Sequence, residues 1–169
     1  MLYVDQADAT LIVAPGGSTL LIDSGRNGHG GRLQAAMQAA GVTRIDRFVA
    51  THYHEDHYGG IDDLVNAGVP VVNAYDRGDK AFVDADRLQS PTWIGYDTTV
   101  GHRADHLTRG ETIPLDPDVV VTVISSGGVV LGEADPPEPG HEENDMSIGL
   151  LITYGDFRLW VGGDVEEPT

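Results

Sequence analysis

The stretch that most restricts how this chain can fold is IDRFVATHYHEDH, residues 45–57. Ile45, Phe48 and Val49 make a short apolar run that reads as a strand, and it leads directly into THYHEDH, which holds three histidines and two acids. Alternate side chains of an extended backbone share a face, so His52 and His54 converge on one side, and Asp56 continues that alternation. His57 breaks the alternation and begins the turn into a helix that starts near Gly59 and Gly60. One strand-to-helix loop thereby offers two neighbouring ligand sets, His52 with His54 and Asp56 with His57, on a frame stiff enough to hold coordination geometry. A polar surface turn is the plain alternative, and it accounts better for one histidine than for three at this spacing. The chain has no cysteine, so disulfides and thiolate ligands are excluded. Any transition metal must be held by His and carboxylate, which suits zinc, manganese or iron.

The flanking pattern gives this loop its setting. The runs 11–13 and 19–22, joined by Pro15-Gly16-Gly17, read as a β-hairpin. Leu33, Ala36, Met37 and Ala40 recur at helical spacing, with Gly41 where a helix-ending glycine belongs. After the motif, Ile61, Leu64 and Val65 mark the inner face of a helix closed by Gly68, and 70–74 reads as a strand. The order β, β, α, β, α, β predicts an α/β layered domain. Residues 76–110 read as loop-rich, with a helix near 80–88; such a segment forms either a wall of a site or a simple surface excursion. His102 and His106, four apart, pair on a helix face or lie on a solvated one. Residues 119–124 (VVVTVI) form a strand, 131–144 a Pro-, Glu- and Gly-rich loop, and 146–154 with 157–161 a hairpin that ends in Gly162-Gly163-Asp164.

Bulk properties bound the function. With 169 residues, 40% apolar and 22% charged, the chain is long enough for one globular domain. The formal charge is −17, and Lys80 is the only lysine. Nucleic-acid backbones require clustered Lys and Arg, so a polyanion is disfavoured as ligand; a solvated acidic surface is the simple reading. No apolar run reaches membrane-spanning length, and residues 1–5 carry no signal-peptide pattern, so a cytoplasmic location is the default expectation. His29 lies in the Gly-rich turn 26–31, which lacks the spacing and lysine of a phosphate loop; it is a candidate for substrate contact or an ordinary turn residue.

His52-Tyr53-His54-Glu55-Asp56-His57 resembles the HxHxDH signature of the metallo-β-lactamase fold superfamily. Leu21-Ile22-Asp23-Ser24-Gly25 resembles its early strand ending in Asp and Gly, and Gly163-Asp164 resembles its later metal-bridging motif. The resemblance covers most of the chain. Within the superfamily, Val4-Asp5-Gln6-Ala7-Asp8-Ala9 and Asn144-Asp145-Met146-Ser147 are similar to elements of the hydrolase domain of ComEC-type competence proteins. The resemblance implies an αββα sandwich and a metal-dependent hydrolase with two zinc ions. His52 and His54 would hold the first ion, Asp56 and His57 the second, and Asp164 would bridge them. Asp56 would also orient an attacking hydroxide held between the ions, and Asp23 would support the loop from below. The ComEC-type details imply a phosphodiester substrate; lactone, thioester and β-lactam hydrolysis are the alternatives within the superfamily. A metal-binding or assembly domain without turnover is the alternative from another class.

The pattern departs from the superfamily in two places. The strand before the last hairpin ends in Ser125-Ser126-Gly127, where the third histidine of the first metal is expected. His141, in Pro139-Gly140-His141, is a candidate replacement or a plain loop histidine. The superfamily fold also continues past Gly-Asp to a last histidine ligand. The expectation is therefore a single domain, 1–169, that holds the N-terminal part of the sandwich, with the rest supplied by more of the protein or by another chain.

Overall fold

Thr19–Ile22 has no polar side after Thr19, so a strand there has to be covered on both faces. The computed structural model, which describes residues 6–80, 83–134 and 142–165, covers it in that way. Strand β1, Thr10–Val13, pairs antiparallel with β2, Thr19–Ile22, as the Pro-Gly-Gly turn predicts. Beyond β2 the sheet becomes parallel: β3 (Ile45–Val49), β4 (Val71–Asp76) and β5 (Asp105–His106) follow in the order β1-β2-β3-β4-β5. The parallel pairs are linked by helices, α1 (Gly30–Ala39) between β2 and β3, α2 (Glu55–Tyr58) and α3 (Ile61–Asn66) between β3 and β4, and α4 (Pro91–Thr99) between β4 and β5. Leu21, Phe48 and Ala74 pack with Leu33, Met37, Ile61, Leu64 and Trp93 in the core between this sheet and its helices.

Leu20, Ile22 and Val49 belong to a second core that faces another sheet. That sheet is antiparallel and runs β10-β9-β7-β6, with β6 at Thr112–Asp116, β7 at Val119–Ser126, β9 at Gly149–Tyr154 and β10 at Phe157–Val161; β8, Val129–Val130, pairs with the end of β7. Alternation on β7 buries Val119, Val121 and Val123 and exposes Val120, so one face of the sheet enters the core. The layers are thus helices, mixed sheet, antiparallel sheet, which is the metallo-β-lactamase type of α/β architecture. The outer face of the second sheet carries Val120, Leu151 and Trp160 on neighbouring strands. Among the described residues, no helix is long and apolar enough to cross a membrane.

Three expectations change. The helix near 80–88 is not formed over its described residues beyond a 3₁₀ turn at Arg87–Gln89; the helix begins at Pro91 instead. Ser90 caps it by accepting a hydrogen bond from Trp93 N–H, and Pro91 fits the first turn because it needs no backbone donor there. His102 and His106 share no helix face: His102 lies in the 3₁₀ turn Gly101–Arg103, while His106 ends β5 and donates through Nδ1 to Asp76 Oδ1 at 2.7 Å. The strand placed at 146–154 starts only at Gly149, because 144–146 form a 3₁₀ turn. Val4 and Asp5 lie outside the described residues, as does His141.

Candidate metal centre

The parallel strands β2 and β3 end side by side, and their following residues build the site, where open α/β sheets carry their ligands. Asp23 directly follows β2 with φ of 56°, a left-handed conformation that Asp tolerates better than most residues. Its N–H donates to Val49 O, and its carboxylate reaches over the end of β3. There Oδ1 accepts from Thr51 N–H and Oδ2 from the Thr51 hydroxyl, each at 2.8 Å. Oδ2 also meets His57 Nδ1 at 2.8 Å. Asp23 is fully buried, so the motif loop is pinned from below by one carboxylate that serves three donors.

These bonds assign the tautomers. With its own proton given to Asp23, Thr51 Oγ1 can only accept from His52 Nδ1, 3.1 Å away. His52 Nε2 is then left facing inward, 2.9 Å from His54 Nδ1. His57 donates through Nδ1 to Asp23, so its Nε2 faces the Asp164 carboxylate at 3.3 Å. The His52 and His57 rings stand 4.1 Å apart. One ligand atom from each of His52, His57 and Asp164 falls within 4.8 Å of the others, from positions more than a hundred residues apart in the chain.

The electrostatics around His57 favour a cation. Burial by itself would push its imidazolium down, but Asp23, Asp164 and Asp56 together raise its pKa to about 9. Burial lifts the Asp23 carboxyl above its usual range, with His57 and Thr51 pulling the other way. His52 is the opposite case: burial, then the neighbouring positive charges of His57 and His54, drives it down to about 2, so it stays neutral with a lone pair on Nε2. A neutral imidazole, an imidazole ring held between two carboxylates with Nε2 toward Asp164, and a half-exposed carboxylate are the donors a divalent ion such as zinc takes. The chemistry of this set therefore fits a metal of that kind.

The other residues of the motif sit as follows. His54 touches His52 but lies outside the three-donor group, and it occupies the position just before α2. Asp56, in the first turn of α2, is turned toward Arg26 Nη2 at 3.4 Å. The extended backbone expected through 52–56 is not seen; the chain bends at His52 and Tyr53 and enters α2 at Glu55, yet the imidazoles still meet. Asp164 reaches the site because Gly163 takes φ of 56° and passes tightly over Thr51, where a Cβ would lie 2.7 Å from Thr51 Oγ1. Ser125 and Ser126, at the place of the expected third histidine, serve the backbone: Ser125 Oγ accepts from Gly149 N–H, and Ser126 Oγ donates to Leu107 O. His29 Nδ1 accepts from Arg26 N–H, within its own turn.

Two contributors carry no signal in the sequence. Glu143, in the acidic loop, and Arg77, after β4, form a buried bidentate ion pair directly behind the motif, with Nε to Oε1 at 3.0 Å. Their partnership spans 66 positions, and only the packed fold joins them.

A mixed sheet packed on an antiparallel sheet, with His52 and His57 following β3 and Asp164 following β10, defines the metallo-β-lactamase type of α/β fold. The chain belongs to the Metallo-beta-lactamase superfamily, whose family model matches residues 2–168. It is 28% identical over 114 residues to the thioesterase pkgB of Emericella nidulans, a match that covers 60% of this chain and 32% of that protein. Among solved structures it is similar in fold to a metallo-β-lactamase of Cronobacter sakazakii with a HARLDQ motif (TM-score 0.60, 18% identity, 95% of this chain and 57% of that one). It is also similar to zinc-bound PqqB of Methylobacterium extorquens (TM-score 0.55, 20% identity, 90% and 51%) and to a β-lactamase of Chitinophaga pinensis (TM-score 0.54, 21% identity, 88% and 51%). The chain spans about a third of the length of the curated relative and somewhat more than half of these structures.

Proposed function

We propose that this chain carries the metal-binding part of a metal-dependent hydrolase, with His52, His57 and Asp164 as ligands and His54 and Asp56 as further ligands. The observation that carries this reading is the convergence of the three donors within 4.8 Å, backed by Asp23 on the far side of His57. A bound divalent ion, zinc before manganese or iron, supplies Lewis acidity toward both attacking water and the oxygen of the bond under attack. The chain's own residues supply the rest. Asp23 holds His57 in the tautomer that leaves Nε2 free, and Thr51 does the same for His52. Asp56 stands ready to accept a proton or orient water once turned from Arg26. Two ions, as the superfamily resemblance implies, would divide the five residues between them.

The substrate class to test first is a thioester, because the curated relative is a thioesterase and its match extends across 60% of this chain. Phosphodiesters are the second reading, resting on the ComEC-like Asn144-Asp145-Met146-Ser147 segment, which leads from a 3₁₀ turn into β9. Zinc-loaded protein should be assayed on a thioester, a phosphodiester, a lactone and a chromogenic β-lactam, beside a His52→Ala/His54→Ala control. Hydrolysis that disappears in the control supports the reading. A metal-loaded protein inert toward all four favours a binding or assembly role, and turnover that survives the control places the activity elsewhere.

A further inference from the structure

Tyr53 stands between the two histidines of the motif, and both of its backbone groups are held from outside the loop. Its N–H donates to Glu143 Oε1 at 2.6 Å, and its carbonyl accepts from Arg87 Nη1 at 3.0 Å. The peptide before Tyr53 carries His52 and the peptide after it carries His54. Fixing both planes therefore fixes the direction in which each imidazole leaves the backbone. Glu143 is itself immobilised: its side chain is 4% exposed and its two oxygens are taken by the Arg77 guanidinium, which also lies over the Tyr53 ring at 4.5 Å from the centroid. The ring is wedged in turn against Trp93 and Tyr96 of α4. A bend of two residues without regular secondary structure is thus held by two charged side chains, one from the loop before β9 and one from the 3₁₀ turn before α4.

We infer that Glu143 and Arg87 are positioning residues for the metal centre, clamping the peptide planes on either side of Tyr53 so that His52 and His54 are preset for a cation. The acidic loop then contributes through a backbone clamp, whatever else it carries. A buried acid with an N–H to hold and an arginine to neutralise it does this without becoming a ligand, since Glu143 turns away from the histidines toward Arg77. Arg87 is only half-buried, so its loss leaves no stranded charge in the core.

This inference rests on the proposed metal site, and its test separates the two. Cation-stripped full chain is titrated with zinc against a chromophoric chelator, and with cobalt(II) to read the ligand-field absorption. Arg87→Met and Glu143→Ala should bind zinc about 10–100-fold more weakly, the loss typical of removing a group that orients a ligand, and should shift the cobalt bands. Arg44→Met, which removes an exposed partner of Asp46 far from the loop, should leave both readouts unchanged. If Glu143→Ala does not fold, Glu143→Gln replaces it: the amide oxygen keeps the acceptor for Tyr53 N–H, so its loss should be smaller than that of Arg87→Met. Folded Arg87→Met and Glu143 variants with the parent's zinc affinity and cobalt spectrum overturn the clamp while leaving the metal site standing. A parent chain that binds neither ion overturns both.

Discussion

Replacing Asp23 by Asn tests the tautomer logic of the centre. The amide nearly matches the carboxylate in shape, but it has one accepting oxygen and a nitrogen that only donates, where the carboxylate accepts three bonds. If Oδ1 keeps Thr51 N–H, the amide nitrogen faces the Thr51 hydroxyl and His57 Nδ1, both of which now donate. His57 can accept from that nitrogen only by giving up its Nδ1 proton and keeping one on Nε2, the atom 3.3 Å from Asp164. The ligand atom is then blocked. Loss of such an orienting partner weakens metal binding about 10–100-fold, or about 1.4–2.8 kcal/mol. The fold should survive: one charge-assisted bond lost costs about 1.5–3 kcal/mol, against a total stability of about 5–15 kcal/mol. Chelator competition gives the affinity, and thermal unfolding without metal shows whether the variant is folded. A folded Asp23→Asn protein that holds zinc as tightly as the parent refutes the argument that Asp23 sets the His57 tautomer.

Other perturbations follow from the same geometry. Arg77→Met leaves Glu143 buried without its guanidinium and should cost about 3–5 kcal/mol in denaturant unfolding; a loss below about 1 kcal/mol would contradict the buried pair, on the scale of an exposed one. Gly163→Ala adds about 1–2 kcal/mol of left-handed strain and a clash with Thr51, so it should displace Asp164 and weaken zinc binding in the same competition assay. Ser90→Ala removes the cap of α4 and should lower stability by about 1 kcal/mol, with zinc affinity unchanged because the Ser90 hydroxyl bonds Glu55 and Trp93 N–H rather than a proposed ligand. Excess chelator should lower the melting temperature of zinc-loaded protein but not of the His52→Ala/His57→Ala variant.

The layered fold was legible because its strands announce themselves locally. The run at 119–124 and the hairpins around Pro15-Gly16-Gly17 and Gly155-Asp156 carry both alternation and turn chemistry. The helix at Pro91–Thr99 was missed although Ser90-Pro91 is a helix start, because its buried face is spread over Trp93 and Tyr96 and broken by Gly95. At the site, the motif histidines and Asp164 were readable from residue type and resemblance. Their partners split into two kinds. Asp23 was readable as a support through the resemblance carried by Leu21-Ile22-Asp23-Ser24-Gly25. Glu143, Arg77 and Arg87 were not, since a charged residue in a loop reads as solvated until folding puts a partner from another segment beside it.

His52, His57 and Asp164 are proposed to hold a divalent cation. Metal content per chain, measured on protein equilibrated with zinc and freed of excess, tests it directly. At least one zinc per folded chain is expected, lost in His52→Ala/His57→Ala protein that remains folded. A folded parent without zinc, or a double variant with the parent's zinc content, contradicts it.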